Sequence, residues 1–166
     1  MKIYKTTCKY KLMALFLGCI LILSGCASSN TKNSTGVKNI SVKDIASKIK
    51  SSLNLTEMTQ IDDKKLKKLY GISTDEIDSY CIFVSMSNIK ADEIAVIKVK
   101  SSSDAESIKE KIQKRNDAEA LSFKDYLPEQ YTLIQNYILK SNDNYILYAV
   151  SKDTEKIEKT FDSFFK

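Results

Sequence analysis

Apolar positions along this chain change rhythm twice. From Leu12 to Leu23 (LMALFLGCILIL) they run unbroken for twelve residues. From Ala27 to Ile40 (ASSNTKNSTGVKNI) they give way to Ser, Thr, Asn and Lys. From Ser41 onward they recur at the 3.6-residue period of helices or the two-residue period of strands.

In that third region the spacing predicts a first helix from Ser41. Ser41 is its cap, Asp44 sits near the positive helix end, and Val42, Ile45, Ile49 and Leu53 form the apolar stripe. A short helix over 63–70 turns Leu66 and Leu69 inward and stops at Gly71. Residues 73–79 read as a polar connection, with a helical turn at 75–77. Tyr80–Ser87 (YCIFVSMS) reads as a strand with Tyr80, Ile82, Val84 and Met86 on one face and Cys81 and Phe83 on the other. Ile94–Lys100 (IAVIKVK) follows as its antiparallel partner, its last residues alternating so that one face turns to water. Ser103 with Glu106 forms a capping box for a long helix over 104–122, striped by Ala105, Ile108 and Ile112. Pro128 suits the start of a short turn or helix over 128–135. A second hairpin pairs 136–140 with 145–151 around the turn Ser141-Asn142-Asp143-Asn144. A last helix over 153–165 buries Ile157, Phe161 and Phe164.

The order α-α-β-β-α-(α)-β-β-α predicts one α+β domain over 41–166. Its expected architecture is a four-stranded antiparallel sheet of two β-hairpins, with helices packed mainly on one face. Each hairpin leads into a helix. An internal duplication and ordinary reuse of hairpin-then-helix explain this equally well.

The unbroken run has a different meaning. Lys2, Lys5, Lys9 and Lys11 precede it with no acidic residue among them. Twelve apolar residues are too few to span a bilayer, which takes about 20, and they suit the core of a secretory signal. Leu23-Ser24-Gly25-Cys26 comes next and resembles the bacterial lipobox. The resemblance implies cleavage between Gly25 and Cys26 and a diacylglyceryl thioether on Cys26. Residues 1–25 are then a lipoprotein signal peptide, and 26–40 a lipidated cysteine and flexible tether. Fourteen tether residues have an r.m.s. reach of roughly 20 Å. An uncleaved anchor and cleavage at Cys19 are the competing readings. Cleavage at Cys19 would put bulky Leu17 in the recognition tetrapeptide and leave an apolar core of about six residues, short for a signal.

Charge and composition narrow the rest. The formal net charge of +5 loses four lysines with the signal, leaving 22 basic against 21 acidic residues. That balance argues against nucleic acid, whose binders carry a basic stripe. The chain has no histidine and no glycine-rich loop. This excludes histidine-based triads, His–zinc sites and phosphate loops, and no cofactor is expected. With Cys8 and Cys19 in the signal and Cys26 lipidated, Cys81 is the single thiol of the domain, and mid-strand it reads as buried and structural. The acidic groups Asp62-Asp63, Asp75-Glu76-Asp78 and Asp92-Glu93 read as caps and solvated turns. Arg115 is the only arginine. It either grips a carboxylate or phosphate ligand or pairs with Glu119 one turn on, the structural role being favoured. Tyrosines concentrate in the last third, and a ligand-binding surface, if one exists there, falls at Tyr126 and Tyr131 beside Arg115.

Several segments carry a wider resemblance. They are Leu69-Tyr70-Gly71-Ile72, Asp92-Glu93-Ile94-Ala95-Val96-Ile97-Lys98, Arg115 in the long helix, and Phe123-Lys124-Asp125-Tyr126-Leu127-Pro128-Glu129-Gln130-Tyr131. In this order, over about residues 42–164, they resemble the domain-of-unknown-function family 4358, found mostly as lipoproteins of clostridia-like Gram-positive bacteria. The resemblance implies a Gram-positive lipoprotein and supplies no catalytic residues. The expected protein is lipid-anchored on the extracytoplasmic face of the cell membrane. It is a binding or interaction module of the envelope rather than an enzyme, with an envelope protein or small ligand as partner. The alternatives are a histidine-free hydrolase or transferase using paired carboxylates, and an accessory subunit of an envelope complex.

Overall fold

The structure, a computed structural model, describes residues 39–53 and 57–166. The signal segment, Cys26 and the tether up to residue 38 lie outside the described residues. The described residues cluster as one compact unit.

The elements are α1 (Val42–Ser52), β1 (Met58–Gln60), α2 (Asp63–Tyr70), β2 (Ile77–Ser85), β3 (Glu93–Val99), α3 (Ala105–Phe123), α4 (Pro128–Gln135), β4 (Ile138–Asn142), β5 (Tyr145–Val150) and α5 (Thr154–Asp162). The expected four-stranded sheet is corrected to five strands in the order β1-β2-β3-β5-β4, every pairing antiparallel. The extra strand, Met-Thr-Gln, is too short to show a period. It pairs Met58 with Ser85 and Gln60 with Phe83.

A second correction concerns the layers. Helices cover both faces of the sheet. On one face Leu66 and Tyr70 of α2, Ile108 and Ile112 of α3 and Ile134 of α4 pack on Ile82, Ala95, Ile97, Ile146 and Tyr148. On the other, Ile45 and Ile49 of α1 and Ile157 and Phe161 of α5 pack on Cys81, Phe83, Val96, Tyr145 and Leu147. Two-sided burial is why Ile94–Ile97 and all six residues of β5 are apolar without alternation. The expected turn to water at the end of β3 is also modified. Lys98 is half-buried, with its ammonium 5.4 Å from the centre of the Tyr145 ring and 3.4 Å from Asp78.

The two hairpin-then-helix units are not symmetry mates. β3 and β5 pair antiparallel at the centre, and a two-fold axis relating them would keep their following helices on one face. α3 and α5 lie on opposite faces.

The helix ends follow their local chemistry. Ser41 Oγ accepts from the Asp44 N–H, and Asp62 caps α2 by accepting from the Lys65 N–H at 2.9 Å. Gly71 closes α2 in the left-handed region at φ 66°. The cap before α3 is moved from Ser103 to Ser101, which with Asp104 forms the capping box of a 3-10 turn over Ser102–Asp104. Pro128 opens α4.

Candidate functional site

Glu93 sits at the first position of β3, on the same face as Ala95 and Ile97, and is 4 % exposed. Burying a carboxylate costs several kcal/mol unless it is paired, and its surroundings supply that pairing. Arg115, from α3, donates through Nη2 to Glu93 Oε2 at 3.0 Å and through Nε to Oε1 at 3.4 Å. The Tyr70 hydroxyl, at the end of α2, donates to Glu93 Oε1. Arg115 Nη1 also donates to Glu119, one turn along α3. The Tyr148 hydroxyl on β5 donates to Asn116 Oδ1 at 3.1 Å. These residues join the C-terminal half of α3 to α2, β3 and β5.

The electrostatics follow from burial and pairing. Burial pushes the Glu93 carboxyl up from its ordinary value, while Arg115 and Tyr70 pull the other way. Arg115 is itself desolvated, yet Glu93 and Glu119 hold its pKa above the usual arginine range. Burial, then the Glu93 charge, drives the Tyr70 and Tyr148 hydroxyls well up. Tyr70 is therefore a fixed donor, and the cluster is an internal ion pair whose donors and acceptors serve one another.

Each residue singled out from the sequence has a definite place. Arg115 makes the expected bond to Glu119, and it also holds Glu93, which was read as part of a solvated acidic turn. Tyr126 is 84 % exposed beyond the end of α3. Tyr131 packs partly buried against the core of the α2–α3–α4 face. Cys81 is buried, and burial raises its pKa, so the thiol is favoured over the nucleophilic thiolate. Asp63 accepts from the Tyr80 hydroxyl at 2.5 Å, Glu76 meets Lys111, and Asp78 meets Lys98. A surface groove along α2, lined by Lys64, Lys67, Lys68 and Thr74, contains no member of the Glu93 cluster. Among the described residues no group of three or more Cys, Asp or Glu is arranged to hold a metal ion.

The sequence reading missed Glu93 and Tyr70 as partners of Arg115. The available signal was parity. Glu93, Ala95, Ile97 and Val99 share one face of the strand, and the other three members of that face are apolar.

The sequence model of a family described as Domain of unknown function (DUF4358) matches residues 51–151, more than half of the chain. The chain belongs to the DUF4358 family. No curated protein and no solved structure matches it. The DUF4358 match is narrower than the 42–164 expected from the sequence. It takes in all five strands and α2, α3 and α4, and so the whole Glu93–Arg115 cluster. Nearly all of α1 and the whole of α5, which cover the opposite face, fall outside it.

Proposed function

We propose that this DUF4358 protein is a lipid-anchored, extracytoplasmic domain that acts as a binding or interaction module at the cell envelope. The observation that carries the reading is Leu23-Ser24-Gly25-Cys26 directly after a lysine-rich start and twelve apolar residues. Two small residues before the cysteine admit the backbone to a processing protease, and the thiol accepts the lipid. Two acyl chains on one residue give stable attachment where a single chain is marginal. The binding role is supported by the way the interior spends its reactive groups. Glu93, Arg115 and Tyr70 bind one another, and Cys81 is buried.

The test is fractionation of cells producing the wild-type chain and Cys26→Ala. Wild type is expected in the membrane at the size of the processed chain, and Cys26→Ala is expected to lose that processing and its lipid. A Cys26→Ala protein that still fractionates with membranes at the processed size contradicts the proposal.

A further inference from the structure

The large apolar side chains that stand exposed among the described residues are Met86 (69 % exposed), Ile89 (59 %), Leu121 (75 %) and Tyr126 (84 %). All four lie at one end of the described domain. Met86 and Ile89 are in the link from the end of β2 to the start of β3. α3 runs back along β3, and at Arg115 it is already beside Glu93, the first residue of that strand. Leu121 is six residues further on, about 9 Å along the helix, and Tyr126 follows the helix end. The Ala91 N–H donates to Gln130 Oε1 at 2.9 Å, tying the hairpin link to α4.

The chain enters the domain at the other end. The Tyr145 hydroxyl accepts from the Ile40 N–H at 3.1 Å and donates to the Ile40 carbonyl at 2.9 Å. Lys98 Nζ donates to Asn39 Oδ1 at 2.7 Å. Tyr145 and Lys98 are register partners at the far ends of β5 and β3. The seven residues of β3 hold the two ends about 20 Å apart.

We infer that the Met86–Ile89–Leu121–Tyr126 end is the docking surface for a different envelope protein, one presenting an apolar segment flanked by lysine or arginine. This rests on the lipid-anchored reading, which puts the tether at Ile40 and turns the apolar end outward. Charge selects the partner's chemistry. Asp92, Asp125 and Glu129 are in no ion pair among the described residues; against them stand Lys124 and Lys90, which acts on Asp92 and is also paired with Glu57 at 2.8 Å. Lys152 and Asp153, which also act on Asp92, carry opposite charges. An acidic apolar surface attracts a basic apolar one and is repelled by anionic lipid headgroups. A two-fold contact between copies would set these carboxylates against each other and send the two tethers in opposite directions.

The experiment uses the full chain in intact cells. A photo-crosslinking side chain is introduced at Ile89, Leu121 or Tyr126, with Ser101 and Ser103 as controls near the opposite end. The expected result is adducts from the first three positions, several-fold above the controls. They map to one protein through a peptide that combines apolar residues with lysine or arginine. Asp125→Lys with Glu129→Lys, both exposed changes, lowers the yield several-fold. Adducts of twice the chain's mass, adducts with lipid alone, a partner peptide lacking basic residues, equal yields at both ends, or no adduct would each overturn the inference. Membrane fractionation of each sample is scored separately. A failure of anchoring appears there, and a failure of docking appears in the adducts.

Discussion

At the scale of single residues the molecule turns on Glu93 and Arg115. Removing the cation leaves a carboxylate in an apolar setting, so Arg115→Met is expected to destabilise the domain by about 3–5 kcal/mol in urea unfolding. Glu93→Leu in the same chain should recover most of that loss, because the uncompensated charge goes with it. A result in which Arg115→Met costs nothing would mean that the pair is not buried as described. The Glu93 carboxyl also sets a pH dependence. Its folded pKa is raised, by burial, above the ordinary 4.5, so between pH 4.5 and that raised value the folded state holds a proton that the unfolded chain has released, and above it Glu93 is the carboxylate of the ion pair. Its contribution to stability is then fully present below pH 4.5 and declines as pH rises through the raised folded value. Melting temperatures of wild type and Glu93→Gln, compared from pH 4.5 to neutrality, should show wild type losing stability relative to the variant as pH rises. A gain would reverse the assignment. Half of this cluster was legible in the sequence. An arginine and a glutamate one helical turn apart announce a pair, and Arg115–Glu119 forms. Glu93 is linked to Arg115 only by the fold, across 22 residues, and its neighbour Asp92 made both look like a turn.

At the scale of elements, local chemistry was the better guide. Asp63–Tyr70 and Pro128–Gln135 form over the residues predicted, because local chemistry fixes their ends, the Asp62 side chain and the left-handed backbone of Gly71 for α2 and the Pro128 ring for the start of α4. Gly71 holds φ 66°, and a Cβ there would meet no atom within 4 Å. Gly71→Ala should therefore cost only the left-handed backbone penalty, about 1–2 kcal/mol, and Gly71→Asn less, as read by thermal melting. A loss well beyond that range would mean that space as well as conformation restricts the position. The start of α3 was misread because SSSDAE offers several hydroxyls in a row. The backbone uses Ser101 and inserts a 3-10 turn before the helix begins. β1 was invisible for another reason. Three residues carry no period, and their strand exists only because Ser85 and Phe83 lie opposite.

At the scale of the whole molecule, coverage of both sheet faces was written in β5, Tyr-Ile-Leu-Tyr-Ala-Val, which has no polar residue to offer water. A sheet covered on one side alternates, and this strand does not. What no periodicity could show is which helix goes to which face. That choice depends on the crossing directions of α1 and α5 against α2, α3 and α4, and it leaves the domain with two unlike ends. Ile40 is held by the Tyr145 hydroxyl at one, and the exposed apolar residues gather at the other. This polarity has a function only if the chain is held by its N-terminus. Intact mass spectrometry of the protein extracted from membranes tests that directly. The account predicts a chain beginning at Cys26, 141 residues long, with a diacylglyceryl adduct on that residue. A chain beginning elsewhere, or a Cys26 carrying a free thiol, would contradict it.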